Sequence, residues 1–244
     1  MNKRIFWIAS YPKSGNTWMR AIVSSLFFSK NGIFDFKLLS LVPTYEKAKI
    51  FDFVKKINLN DYHKLSKIEI LSKYFIKSQE RIYIDGDFSF FKTHSCNSLI
   101  DNNAFTDETV SLGLIYLLRN PLDVAISYAE HRNKKIDDII DIMMSNNALT
   151  ATGDIHNKKY PILMSRCDNH LISWQNLKIP KIIIKYEDLL ENTEVVLIKL
   201  VKFFEQKFKF KFHKSEEKSN TALHTLPVPF VRSTIRRHNT WVHA

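Results

Sequence analysis

The strongest constraint on the fold lies near the start of the chain, where an apolar run leads through a short turn into a helical pattern. Residues 3–9 (KRIFWIA) are rich in β-branched and aromatic side chains and predict a buried strand. The turn at 10–15 (SYPKSG) contains Pro and Gly, and residues 16–28 (NTWMRAIVSSLFF) predict a helix. A strand, a tight loop and a helix N-terminus form an anion-binding site, because backbone N–H groups and the positive end of the helix dipole face one point.

The loop resembles a phosphate-binding P-loop in which one positive charge is displaced. When Gly15-Asn16-Thr17 is aligned on the end of G-x-x-x-x-G-K-S/T, Ser10 takes the position of the first Gly and Asn16 that of the Lys. The charge is found instead at Lys13, inside the loop. The missing lysine weakens an ATPase or kinase interpretation, although Thr17 could still hold Mg²⁺. A plain turn with Lys13 in solvent is an open alternative at this point.

Length and composition favour one globular domain. The 244 residues, 45% of them hydrophobic, suit a single domain over 1–244 with a sizeable core. The sequence shows neither a signal-peptide pattern nor an apolar run long enough to span a bilayer. Cys96 and Cys167 are too few for a disulfide framework and lack metal-ligand spacing. Together these features predict a cytoplasmic location.

The formal net charge of +11 suggests an anionic partner, although most basic residues are scattered. The exception is 207–214 (KFKFKFHK), where Lys alternates with Phe. This alternation predicts an amphipathic strand with a buried Phe face and a solvated Lys face. A single-stranded nucleic-acid site with stacking aromatic rings is the less favoured interpretation. We therefore expect no nucleic acid among the partners.

Strand and helix patterns alternate along the rest of the chain. Further strands are expected at 88–94, 112–118 and 181–186, and helices over 35–80, 121–129, 167–176 and 188–204. Asn120 is the expected N-cap of the helix that begins at Pro121. Continuous apolar strands between helices predict an α/β fold, with a P-loop-like central parallel sheet flanked by helices on both faces.

Unusual polar residues follow the predicted strands, where the ligands of such sheets bind. Lys13 follows the first strand, His94 ends the second, Arg119 follows the third and Tyr186 the fourth. Each has a structural alternative when taken singly: a surface histidine, an Arg paired with Asp123, or a residue at a helix start. Their shared position at one edge of the sheet predicts a single site.

Four motifs, in this order, resemble the sulfotransferases that use 3′-phosphoadenosine 5′-phosphosulfate (PAPS), especially the soluble cytosolic type. YPKSGNTW at 11–18 is similar to the 5′-phosphosulfate loop, and FKTH at 91–94 to the strand that ends in the catalytic histidine. RNPLDVAISY at 119–128 is similar to the 3′-phosphate motif, and KYEDL at 185–189 to the strand end that touches the adenosine.

The resemblance implies a role for each matching residue. Lys13 would neutralise the bridging oxygen as the sulfuryl group leaves, Lys92 would stabilise the transferring group, and His94 would be the general base. The nucleotide would be bound by Lys13, Ser14, Gly15, Asn16, Thr17, Trp18, Arg119, Ser127, Tyr186 and Arg232. Of these, Trp18 and Tyr186 would contact the adenine, and Arg119 and Ser127 the 3′-phosphate. PAPS would be the sulfuryl donor and PAP, the 3′,5′-bisphosphate, the product, with no metal.

The C-terminal motif departs from the family, which has Arg-Lys-Gly where residues 232–234 are Arg-Ser-Thr. Arg232 is slightly favoured as the 3′-phosphate ligand over the pair Arg236 and Arg237. In the family, segments equivalent to 35–80 and 131–165 cover the acceptor, which we expect to be a small-molecule, glycan or lipid hydroxyl. A P-loop small-molecule or sugar kinase and a non-catalytic protein that binds PAP or nucleic acid are the alternatives. The oligomeric state stays open, a homodimer included.

Overall fold

The computed structural model describes residues 4–30, 32–81, 86–149 and 160–212. Its strands are β1 (Ile5–Ser10), β2 (Ser89–Thr93), β3 (Leu99–Ile100), β4 (Asn103–Ala104), β5 (Ser111–Leu118) and β6 (Lys181–Lys185). Its longer helices are α1 (Asn16–Phe28), α7 (Pro121–Arg132), α8 (Ile136–Met144), α9 (Cys167–Asn176) and α11 (Thr193–Phe208). Its shorter helices are α2 (Ala48–Phe51), α3 (Val54–Ile57), α4 (Leu59–Tyr62), α5 (Ile68–Ser72), α6 (Phe75–Gln79) and α10 (Tyr186–Glu191), with a 3₁₀ helix at Phe36–Leu41.

The main sheet has the strand order β2-β1-β5-β6, and β1 runs parallel to both β2 and β5. All six residues of β1 are buried, as expected of a strand covered on both faces. Ala9 of β1 lies opposite Thr93 of β2 and Tyr116 of β5, so these strands end at the same edge of the sheet. The predicted α/β fold with a central parallel sheet flanked by helices is confirmed.

The described residues divide into two compact units, the first within 4–16 and 43–183 and the second within 17–42 and 184–212. In the first unit the Trp7 ring packs against Tyr45, with 5.2 Å between ring centroids, and against Trp174 at 5.9 Å. In the second unit Phe27 packs edge-on against Phe204, at 4.8 Å. The expectation that 1–244 form a single sulfotransferase domain stays a prediction.

The start of α7 is as the sequence indicates. The Asn120 side chain accepts a hydrogen bond from the backbone N–H of Leu122 at 3.0 Å, and Pro121 opens the first turn, where it needs no N–H partner. The helix ends at Asn133, which is in the left-handed conformation with φ of 50°. This anchored helix carries several side chains of the candidate site.

Two sequence predictions about the second unit are wrong in detail. The single helix expected over 188–204 is two helices, α10 and α11, because the Asn192 side chain accepts from the N–H of Val195 at 3.2 Å and starts a new helix there. The strand expected at 207–214 does not form over its described part, 207–212. The helix α11 continues to Phe208, and Lys209, with φ of 60°, ends it. The alternation of half-buried Phe and exposed Lys is nevertheless present over 207–212, without strand pairing; residues 213–214 lie outside the described residues.

Candidate active site

The loop after β1 has the backbone shape of an anion cradle. Lys13 and Gly15 both have positive φ, 66° and 89°, and α1 begins at the next residue, Asn16. The first turn of α1 contains no acidic residue, so no carboxylate of that turn neutralises the positive end of the helix dipole. Ser14, between the two turn residues, is 1% exposed.

The Asn16 side chain closes the loop from inside. Its Nδ2 donates to the carbonyl oxygen of Ile8 at 3.2 Å and to Oγ of Ser10 at 3.1 Å. A neutral amide therefore ties the helix start to the strand end, at the position where a P-loop has its lysine. The backbone N–H of Asn16 lies in the first turn of α1, where helical N–H groups lack intrahelical partners and can face an anion.

His94 lies directly after β2, and its ring is oriented by the end of β1. Its Nδ1 lies 2.8 Å from the carbonyl oxygen of Ser10 and 3.3 Å from the hydroxyl of the same residue. Since a carbonyl oxygen can only accept, Nδ1 carries the proton in this arrangement. The lone pair is then on Nε2, the nitrogen that can take a proton from another group.

The surroundings of His94 keep its imidazole neutral. Burial lowers the pKa of His94 well below its usual 6.5, and the positive charge of Lys92 lowers it further. His170 and Lys13 act in the same direction, while the hydrogen bond to Ser10 opposes them. At neutral pH the ring is therefore a free base.

A cavity of about 420 Å³ in the first unit brings together the three residues expected to be catalytic, because Lys13, Lys92 and His94 all line it. Lys92 is positioned by an extra bridge at the edge of the sheet. Its backbone N–H donates to the carbonyl oxygen of Pro43 at 2.9 Å, and its carbonyl oxygen accepts from the N–H of Tyr45 at 2.9 Å.

The cavity wall also contains basic, acidic and aromatic groups that sequence reasoning did not identify. Lys47, His131 and Arg132 are the basic ones, Glu46 is acidic, and Tyr128 and Tyr160 are aromatic. Glu46 is 4% exposed, and its Oε1 accepts hydrogen bonds from the hydroxyls of Thr93 and Ser95. The pairing of 43–45 with Lys92 brings Glu46 and Lys47 to the cavity, a placement that no local pattern predicts.

Arg119 contacts the loop after β1. It is 6% exposed, and its Nη1 donates to the carbonyl oxygen of Lys13 at 2.8 Å. This bond ties the end of β5 to the loop after β1. Ser127 is half-buried on α7 and does not belong to the cavity wall. Binding of a 3′-phosphate by Arg119 and Ser127 stays a prediction.

The remaining predicted nucleotide residues belong to the second unit or lie outside the described residues. Thr17 is exposed, and Trp18 is half-buried. The rings of Trp18 and Tyr186 meet edge-on, with centroids 6.3 Å apart. The two side chains expected at the adenine are thus neighbours. Arg232, like the pair at 236–237, lies outside the described residues.

His170 is a functional candidate that sequence reasoning missed. It is fully buried on α9, its Nε2 lies 3.1 Å from the carbonyl oxygen of His94, and its Nδ1 lies 2.8 Å from the Tyr116 hydroxyl. Nε2 therefore carries the proton and donates to His94, while Nδ1 accepts from Tyr116. Burial lowers the pKa of His170 to about 4, so this donor stays neutral.

Trp174, one turn further along α9, acts similarly by donating from Nε1 to the carbonyl oxygen of Ser95 at 2.9 Å. Side chains four positions apart share one face of a helix, so His170 and Trp174 together hold the backbone just after β2. The spacing H-x-x-x-W within a predicted helix was the sequence feature that could have indicated two polar aromatic side chains on one helix face.

Within the described ranges, no three His, Cys, Asp or Glu side chains lie together as a metal-binding group. The expectation that no metal takes part stays a prediction. None of the helices that the structure describes has the length and apolar character needed to cross a bilayer.

Comparison with known proteins gives consistent matches. A family model described as sulfotransferase domain matches residues 3–233. The chain is 25% identical to mouse sulfotransferase 1B1 over 208 residues, which is 82% of this chain and 58% of the relative.

Two solved structures share the fold at 16% identity, each covering 92% of this chain. They are mouse sulfotransferase SULT7A1 complexed with PAP, with a TM-score of 0.52 and 64% of that chain covered, and retinol dehydratase in a complex with retinol and PAP, with a TM-score of 0.51 and 65% covered. The chain thus spans less than two thirds of the length of each of these three proteins.

Proposed function

The chain belongs to the sulfotransferase domain family, and from this premise we propose that it transfers the sulfuryl group of PAPS to a hydroxyl group of a small-molecule acceptor. The observation that best supports this is the state of His94. Its Nδ1–H is held by the Ser10 carbonyl at 2.8 Å, and its Nε2 remains as a base in a cavity that Lys13 and Lys92 also line.

His94 acts as the general base of the proposed reaction. Its Nε2 takes the proton of the acceptor hydroxyl as that oxygen bonds to sulfur in line with the breaking bond between sulfur and the phosphate oxygen. PAPS supplies the activated sulfuryl group, and PAP is the leaving group. Positioning and electrostatic stabilisation dominate such group transfers, as they do in phosphoryl transfer.

Lys13 and Lys92, which both line the cavity, supply positive charge to the transferred group. Lys13 neutralises the oxygen that retains the electrons of the broken bond, and Lys92 stabilises the peripheral oxygens of the sulfuryl group. Two lysines in one cavity can replace the Mg²⁺ that phosphoryl transfer from ATP requires, since the terminal sulfate of PAPS carries less negative charge than the γ-phosphate of ATP. We therefore propose that no metal takes part.

The loop after β1 fits the phosphate end of the nucleotide. The positive φ values of Lys13 and Gly15 open the cradle, and the Arg119 bond to the Lys13 carbonyl fixes its edge. We propose that Arg119 and Ser127 take the 3′-phosphate, the group that distinguishes PAPS from ATP. The two solved neighbours that contain PAP, one of them with the alcohol retinol, agree with such a nucleotide and with a hydroxyl acceptor. A cytoplasmic location and a homodimer stay predictions.

The kinase alternative is less well supported by the same loop. The Asn16 amide, at the position of the P-loop lysine, bonds to Ile8 and Ser10 and brings no charge to the cradle. The β- and γ-phosphates of ATP would lack their usual partner.

Thermal stabilisation by PAP, AMP and ATP with Mg²⁺ tests the proposal. We expect PAP to stabilise the protein most, because it carries the 3′-phosphate that AMP and ATP lack. A ligand that binds only the folded state raises the free energy of unfolding by about 2.7 kcal/mol at 100 times its Kd. Transfer of ³⁵S-labelled sulfuryl from PAPS to a panel of phenols and alcohols should follow. Absence of a shift with PAP would overturn the nucleotide assignment. Turnover with ATP and Mg²⁺, but not with PAPS, would indicate a kinase. Binding of PAP without sulfuryl transfer to any acceptor would indicate a non-catalytic protein.

A further inference from the structure

The cavity beside His94 carries more positive charge than the proposed transfer uses. Lys13 and Lys92 serve the sulfuryl group, but Lys47 and Arg132 line the same cavity. Among the described residues of the wall, these four permanent cations face a single carboxylate, that of Glu46. Two cations are therefore left without a role in handling the donor.

Glu46 does not balance these extra charges through direct pairing. Its Oε1 accepts from the hydroxyls of Thr93 and Ser95, at the end of β2, and its side chain is almost fully buried. Its hydrogen bonds anchor the segment after Pro43 to the strand end, on the inner side of the wall. Lys47, the next residue, is exposed and free to face a ligand in the cavity.

The α7 side of the cavity has a positive potential. His131 is exposed, yet the charge of Lys13 lowers its pKa below the usual 6.5, with burial and Arg132 acting in the same direction. A field that disfavours a proton on His131 favours a bound anion at the same place. Lys13 and Arg132 therefore act on one region of the wall.

Arg132 lies over an aromatic ring of the same wall. Its guanidinium carbon lies 6.0 Å from the ring centroid of Tyr128, a buried residue of the same wall. This separation is at the outer limit of a cation–π contact, and the planar fork of an Arg matches a carboxylate with two hydrogen bonds. The aromatic rings of Tyr128 and Tyr160 offer apolar surface for the carbon skeleton between the anion and the hydroxyl.

We infer that the preferred acceptor is a hydroxyl compound that also carries a carboxylate or similar oxyanion, which Lys47 and Arg132 bind while His94 takes the hydroxyl proton. The inference deepens the proposed sulfotransfer and rests on it. It places the acceptor among small hydroxy acids, and it excludes neutral phenols and amine-bearing alcohols as preferred acceptors.

A charge series with one constant phenol tests this. We would measure binding of 4-hydroxyphenylacetate, 4-methylphenol and tyramine to the PAP complex by saturation-transfer NMR and calorimetry, then ³⁵S transfer to each. The anion should bind at least about tenfold more tightly than the neutral phenol, with the cation weakest. The aliphatic series 4-hydroxybutanoate, butan-1-ol and 4-aminobutan-1-ol repeats the comparison without the ring.

Charge reversal locates the effect. Lys47→Glu and Arg132→Glu should each abolish the preference for the anion and leave the affinity for PAP within about twofold. The matched controls are Lys49→Glu and Lys134→Glu, because both lysines are exposed, lie close in sequence and do not line the cavity. The controls should keep the anion preference of the unmodified protein.

The outcomes separate the inference from the proposed function. Equal binding of the three phenols, or a preference for the neutral or cationic one, overturns the anionic acceptor even if PAP binds and sulfuryl transfer occurs. A preference that survives both charge reversals also overturns it. Failure of the unmodified protein to bind PAP would instead overturn the proposed function. The PAP titration measures this separately from acceptor binding. Because binding is measured directly, slow turnover does not obscure the ranking.

Discussion

The ends of β1 and β2 carry the two halves of the proposed chemistry, but different kinds of contact hold them. At the end of β1, Asn16 bonds to Ile8 and Ser10, which are eight and six positions away along the chain. At the end of β2, His94 is held by Ser10 and His170, 84 and 76 positions away. Apart from the Arg119 bond to the Lys13 carbonyl, the first end is shaped by its own sequence, whereas the second is shaped by the tertiary fold.

This difference has a mechanistic meaning. An anion cradle needs only backbone N–H groups and a suitable turn, both of which a short segment can supply. A general base needs one ring nitrogen aimed at the acceptor and the other one fixed, which requires partners from other elements. Changes at β1 should therefore act mainly on nucleotide binding, and changes at β2 mainly on turnover.

The largest effect should come from removing the base at the end of β2. We expect His94→Ala to lower kcat by about 10²–10⁴-fold, the usual contribution of a general base, and to leave PAP binding almost unchanged. The measurement is steady-state sulfuryl transfer together with a PAP titration. His63→Ala is the matched control, because His63 is exposed and lies outside the cavity. Full activity of the His94 variant would show that His94 is not the base.

Substitution of His170 tests whether the end of β2 depends on a side chain that is remote in sequence. His170→Leu removes the donor to the His94 carbonyl and should lower kcat about tenfold, the value of one buried hydrogen bond, with little change in PAP affinity. His170→Gln keeps an N–H at a similar position and should recover part of this loss. Equal kcat losses in the two variants would indicate that packing, rather than the hydrogen bond, matters.

His170 also predicts a pH dependence of stability. Burial lowers its pKa to about 4 in the folded protein, whereas the unfolded chain takes up the proton near the usual 6.5. The unfolded state therefore binds more protons between these two values, so the free energy of unfolding falls as the pH drops through this window. The slope is about 1.4 kcal/mol per pH unit for one such group. Urea unfolding at several pH values should show a shallower slope in His170→Gln.

Some features could be predicted because they depend on residues close in sequence. The turn after β1, the start of α1 and the Asn120 cap of α7 are local, and the structure has all three. Other features could not, because their partners are remote. The role of His170 depends on Tyr116 and the His94 carbonyl, which no periodicity connects to it.

The second unit shows a different reason for failure. The alternation of Lys and Phe after residue 206 is equally compatible with a strand and with half-buried rings at a helix end. Phe27 packs against Phe210 and Phe212, with ring centroids 5.6 and 5.3 Å apart, so the aromatic face is satisfied without a partner strand. Packing therefore decided what the pattern left ambiguous.

The smallest effect on turnover should come from the first end, through its backbone. Gly15 has φ of 89°, so Gly15→Ala should cost about 1–2 kcal/mol in unfolding free energy and weaken PAP binding. Gly86→Ala is the matched control, since Gly86 also has positive φ, is exposed and has nothing within 4 Å of an added Cβ. The control should lose stability but keep its PAP affinity. Unchanged PAP affinity in the Gly15 variant would argue against the loop as the nucleotide cradle.

The bridge between Thr44 and Lys92 has a further consequence, for solubility. Within the described sheet β2 is an outer strand, and outer strands offer backbone groups to which another chain can pair. Pro43 and Tyr45 occupy those groups at Lys92, beside the cavity. Side-chain substitutions in this segment can therefore change acceptor choice without exposing the strand edge. An insertion that lifts its backbone away from Lys92 would instead leave unpaired backbone groups on β2, to which another chain could pair and aggregate.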